Sequence, residues 1–149
     1  MLKNMRNIVV NSERGMSLVE ILIALTLMGI AGTFVAWKLY ERLESGQIDA
    51  AKIQLRNLGD RVKEFRRFCS YYPTSDQGLD ALIQKPQGGR ECPRYPADGL
   101  IDGGKIPKDP WEFEYVYESD GKTFDIKTLG ADGAEGGEGV DADLSLKQL

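Results

Sequence analysis

Ile21–Trp37 is a run of seventeen residues without a charge. With Leu18 and Val19 before it and Leu39–Tyr40 after it, the stretch reaches the roughly 20 residues that a helix needs to cross a bilayer. In lipid every backbone polar group must be satisfied internally, so a single spanning segment has to be a helix. One carboxylate, Glu20, lies at its start. An ionisable group at membrane depth is costly and marks function by default. The plainer reading is a Glu that snorkels to the headgroups.

The residues ahead of this run do not form an ordinary secretory signal. Lys3, Arg6 and Arg14 stand against Glu13, and Gly15 ends the leader. No apolar core precedes Gly15, and no small-x-small cleavage site follows the apolar run. A cut after Gly15 would leave the anchor in place and make Met16 the new N-terminus. The basic leader puts the N-terminus in the cytoplasm. Trp37 and Tyr40 fit the far interface, with the remainder of the chain beyond the membrane.

The formal net charge is -4, and it becomes more negative without the basic leader. That argues against nucleic-acid binding, which depends on neutralising phosphates. The chain has no His. A Ser-His-Asp or Cys-His catalytic system is therefore impossible within it, and the commonest metal ligand is missing. No nucleophile motif or phosphate loop is present, so the chain reads as a non-enzyme.

Past the anchor, Ile48, Ala51, Leu55, Leu58, Val62, Phe65 and Cys69 are spaced by three and four, a narrow apolar stripe on a helix. Lys52, Arg56, Asp60, Arg61, Lys63, Glu64, Arg66 and Arg67 fill the other faces. One helix from Met16 to about Tyr71 would be roughly 80 Å long. Its stripe suits a small packed domain better than a coiled-coil seam. Tyr72-Pro73 ends it. The segment 73–110 predicts an irregular connection with one short helix, capped by Thr74 or Ser75. Trp111, Phe113, Tyr115 and Tyr117 then alternate with Glu112, Glu114, Val116 and Glu118 and predict a strand. After the turn at Asp120-Gly121, Phe124, Ile126 and Thr128 predict a second, antiparallel one. The expected class is α+β: a long N-terminal helix packed by a small antiparallel sheet. The divisions are 1–15, a leader; 16–40, the membrane half of the helix; 41–71, its amphipathic half; and 72–149, loop, sheet and an acidic glycine-rich end.

Cys69 and Cys92 are the only cysteines. Beyond the membrane a disulfide is the first expectation, the other reading being two buried thiols. The segment Leu129 to Asp143 mixes glycines with acids. Its residue types allow either a solvated loop or a calcium site, since Ca²⁺ takes carboxylate and carbonyl oxygens together.

Gly15 and Glu20, with three downstream segments, resemble the major pseudopilins of type II secretion systems, within the type IV pilin superfamily. The segments are Tyr72-Pro73-Thr74-Ser75-Asp76-Gln77-Gly78-Leu79-Asp80-Ala81-Leu82, Pro107-Lys108-Asp109-Pro110-Trp111, and Leu129-Gly130-Ala131-Asp132-Gly133 with Gly136-Gly137-Glu138-Gly139 and Ala142-Asp143. The N-terminal part is common to type IV pilins; the downstream segments together are specific to the major pseudopilin. The resemblance implies cleavage after Gly15 by a prepilin peptidase, methylation of the Met16 amine, and an assembly role for Glu20 against the N-terminus of a neighbour. It implies a helical homopolymer rooted in inner-membrane lipid, working with minor pseudopilins and an assembly platform to expel folded proteins. It also implies calcium held by the Leu129 carbonyl, Asp132 and Asp143, with Asp141 or a nearby carbonyl completing the shell. Met16, Trp37, Glu112-Phe113-Glu114, the cysteine pair and the tail Leu144–Leu149 depart from the usual family pattern. The competing readings are a type IV pilin or minor pilin-like subunit for adhesion, motility or DNA uptake, a membrane-tethered enzyme, and a monomeric calcium-binding module.

Overall fold

The computed structural model describes residues 17–149. The chain divides between Tyr40 and Glu41 into two compact units. Helix α1, Leu18–Cys69, supplies the first described unit and the leading part of the second.

In the first unit the apolar side chains, from Leu18 through Ile30 and Phe34 to Tyr40, are exposed. By length and composition α1 is the one helix among the described residues that could cross a membrane. The hydroxyls in this stretch are satisfied locally. Thr26 donates to the carbonyls of Leu22 and Ile23, and Thr33 donates to that of Ile30. Such back-bonding removes the penalty of a bare hydroxyl in an apolar medium.

In the second unit the three-and-four stripe is the core face of α1. Ala51, Leu55, Leu58, Val62, Phe65 and Cys69 are all buried, and Gly59 is buried with them. Against them pack Leu79, Leu82, Cys92, Leu100, Tyr115 and Ile126. Phe65 meets Tyr71 edge-on at 5.6 Å. α1 ends where Ser70 turns into the left-handed region, with φ 65°, two residues before the expected Tyr72. The short helix is a 3₁₀ turn, Leu79–Leu82. Its capping position is Gly78, with φ 58° and no side-chain cap, rather than Thr74 or Ser75.

The sheet has three antiparallel strands in the order β1 (Val116–Ser119), β2 (Phe124–Thr128) and β3 (Leu144–Ser145). Val116 pairs with Lys127 and Ser119 with Phe124. Lys127 pairs with Ser145 and Thr128 with Leu144. The turn between β1 and β2 is built by Asp120, whose carboxylate accepts from the Lys122 and Thr123 amides. These bonds hold that carboxyl below the ordinary Asp range.

The strand expected from Trp111 onward is a correction. Trp111 and Phe113 lie in a turn, and β1 starts at Val116. The cause is Asp109, which accepts from the amides of both Trp111 and Phe113 while Glu112 takes φ 71°. A side chain that captures two successive backbone donors competes directly with a ladder. β3 is the element that the sequence pattern did not mark.

Candidate functional site

The acidic end of the chain is an ordered loop between β2 and β3. It is closed by the Ala131 amide donating to the Val140 carbonyl at 2.9 Å, and by Asp143 and Gly136 bonding reciprocally. In that pair the Asp143 amide donates to the Gly136 carbonyl, and the Gly136 amide donates to Asp143 Oδ2. Gly130 and Gly137, with φ 70° and 81°, sit against the Asp141 backbone. A Cβ at either would lie 2.5 Å and 2.3 Å from it respectively. Only glycine allows both the left-handed φ and that approach. Asp132 Oδ1 accepts from the Ala134 amide at 3.0 Å.

The sequence-derived metal residues are therefore placed in one loop: Leu129 at its start, Asp132 on its exposed side, Asp141 and Asp143 on its returning arm. Among the described residues no three acidic, His or Cys side chains stand together as a metal cluster. A calcium ion here would need backbone carbonyls beside the carboxylates, which is ordinary for this ion. One carboxylate oxygen is suited to meet such an ion. Asp143 Oδ1 is buried and has no hydrogen-bond partner. A buried, unpartnered carboxylate oxygen is penalised unless a cation or donor meets it.

The loop leans on a second carboxylate that sequence reasoning passed over. Asp109 is 3% exposed. Besides the Trp111 and Phe113 amides, it accepts from the Thr128 hydroxyl at the end of β2. Phe113 is thereby set against Gly133, where a Cβ would meet its ring at 2.9 Å. Asp109 thus ties the turn before β1 to the base of the acidic loop. Its charge and burial together push the Tyr115 hydroxyl well above the ordinary tyrosine range, burial being the larger cause. Tyr115 stays protonated and donates to Gln54 on α1. Asp125, 5% exposed, does the same for β3: it accepts from the Ser145 hydroxyl and the Lys147 amide. The Asp109-Pro110 pair is a turn signal that could have revealed the first of these; a lone Asp in a strand pattern gave no sign of the second.

Glu20 lies in the first turn of α1 and is exposed. A carboxylate there suits the positive end of the helix. Gly15 and Met16 lie outside the described residues. Cys69 and Cys92 are joined in a disulfide across 23 positions, and both are buried. The bond fastens the last residue of α1 to the irregular connection.

Residues 10–36 match the prokaryotic N-terminal methylation motif. A Vibrio cholerae protein named type II secretion system core protein G is 38% identical over 134 residues, covering 89% of this chain and 90% of the relative. A Pseudomonas aeruginosa protein of the same name is 32% identical, covering 89% and 93%. Among solved structures, the major pseudopilin of the type 2 secretion system of enterohaemorrhagic Escherichia coli superposes with a TM-score of 0.63 at 28% identity. It covers 74% of this chain and 95% of its own. The long helix carrying a small antiparallel sheet is therefore the type IV pilin-like fold. With residues 38–147 matching the family described as type II secretion system (T2SS), protein G, the chain belongs to that family.

Proposed function

We propose how this protein G family member acts as the structural subunit of a type II secretion pseudopilus. A prepilin peptidase cuts after Gly15 and the Met16 amine is methylated. The subunit waits in the inner membrane with its N-terminus cytoplasmic and its second unit periplasmic. An assembly platform then draws subunits into a helical filament with minor pseudopilins, and its growth helps expel folded proteins across the outer membrane.

The observation that carries this reading is the contrast along α1. From Ala51 to Cys69 its apolar stripe is buried within the second unit, while the apolar side chains from Leu18 to Tyr40 are exposed among the described residues. Lipid covers them before assembly and neighbouring helices cover them after it. Glu20 gives this transfer its selectivity. A carboxylate moved into a helix bundle is tolerated only when a cation meets it, and the new N-terminus of a neighbour supplies one. Calcium, held by Asp132, Asp143, the Leu129 carbonyl and either Asp141 or a nearby carbonyl, would offset the charge of its own ligands and fix the loop against Phe113. Asp143 Oδ1 supports that assignment.

Glu20→Ala tests the assembly step in cells that make the full system. The variant should be processed and inserted normally yet form no filaments and secrete nothing. Normal filaments would show that the carboxylate only snorkels.

A further inference from the structure

The exposed charges of the second unit are distributed unevenly along α1. At the Cys69 end stand Arg66, Arg67, Arg90 and Arg94, all exposed, with Glu91 among them. None of the four arginines is in an ion pair among the described residues. Residues 90–94 are brought to this end by the Cys69–Cys92 bond and by the Tyr71 hydroxyl, which donates to the Arg90 carbonyl. Two of the guanidinium groups are already held in place. Arg66 lies 4.9 Å from the Tyr72 ring centre and donates to its hydroxyl, and Arg90 lies 5.4 Å from the Tyr71 ring centre. Stacking fixes the plane of a guanidinium and leaves its edge donors free for a carboxylate.

The acidic loop occupies the other end of the same unit. Gln47 donates to the Pro110 carbonyl, and Phe113, three residues on, packs on Gly133. From Gln47 to Cys69 the helix advances about 33 Å at 1.5 Å per residue. The loop exposes Asp132, Glu135 and Glu138, and no Lys or Arg occurs from Leu129 to Leu146. The nearest strand cation, Lys127, is engaged by Glu118, with a lesser pull from Glu135.

We infer that these two ends meet between copies: the arginine end of one subunit receives Glu135 and Glu138 of the next. This rests on the filament reading above. The contact joins two different surfaces of one chain, so it is head-to-tail, and repeated it produces an open helix rather than a closed dimer. A second copy is the fitting occupant because the same chain supplies both surfaces with opposite charge. The contact fixes register between neighbouring soluble units, which an apolar helix bundle does not specify by itself.

The test uses the full-length chain in cells that assemble it. Arg67→Glu with Arg94→Glu changes two side chains that make no hydrogen bond or ring contact among the described residues, so processing, insertion and the native disulfide should persist. Filament yield in electron micrographs should fall at least tenfold, and adding Glu135→Arg with Glu138→Arg should restore it. In a separate variant, Arg67→Cys with Glu138→Cys should give an oxidation-dependent ladder of multimers that neither single variant gives. Filaments of normal yield from the double arginine variant, or a normal filament with no ladder, would overturn this inference while leaving the filament reading intact. Lost secretion with intact filaments would assign the arginines to an acidic partner protein instead, and overturn it too. No filaments from the unaltered chain would overturn the filament reading and this inference together.

Discussion

Replacing both cysteines by alanine removes the covalent link between the end of α1 and the irregular connection. Ala is the right replacement, since Cys69 and Cys92 are 5% and 2% exposed and a serine hydroxyl would be buried without a planned partner. The bond closes a loop across 23 positions. In the chain-entropy account such a loop restricts the unfolded state by about 3.4 kcal/mol at 25 °C. For a unit of this size about 1 kcal/mol moves the melting temperature by roughly 4 °C, so the fall should be about 14 °C. Calorimetry of the Glu41–Leu149 unit, with and without the two substitutions, measures it. The account places the effect in the unfolded chain, which becomes more expanded without the link, so the urea m-value should rise as well. A fall under about 4 °C would refute the reasoning. It would mean that the unfolded chain is already compact without the link, so the bond restricts it far less than its loop length requires.

Asp109→Ala strands the Trp111 and Phe113 amides and the buried Thr128 hydroxyl; it should cost about 2–4 kcal/mol in urea unfolding, and a midpoint equal to wild type would show that the carboxylate ties nothing together. The Glu41–Leu149 unit should melt higher in millimolar calcium than in chelator, by the equivalent of about 2–3 kcal/mol if calcium stands near a hundred times its dissociation constant; Asp132→Ala or Asp143→Ala should abolish the difference, and identical wild-type melts would remove calcium from the loop. Gly15→Val should leave the precursor uncut but inserted, since a β-branched side chain crowds an extended backbone at the cleavage position; a mature-sized band on gels would contradict the peptidase step.

The parts of this fold that were legible in the sequence are those whose signal is local and periodic. The stripe from Ala51 to Cys69 repeats at helical spacing and is buried. Phe124–Thr128 alternates and pairs as a strand. Where a single side chain overrides a period, pattern reading fails. Trp111 and Phe113 alternate like strand residues, yet Asp109 captures their amides and bends the chain. β3 is two residues long and exists because Ser145 bonds the distant Asp125, so nothing in its neighbours announces it. The acidic loop was visible by composition, whereas the grip of Gly130 and Gly137 on Asp141 requires the two arms to be seen together.

Leu146 lies over the buried Gly59 in the middle of α1, where an added Cβ would come within 2.5 Å of its side chain. Read along the direction of synthesis, this joins an early residue to a late one. α1 emerges early, and Gly59 lacks its cover, Leu146, until the end of the chain arrives. Until then β2 also shows an open edge, the kind of surface that invites aggregation or proteolysis. A chain interrupted before residue 144 would therefore leave both Gly59 and the edge of β2 bare.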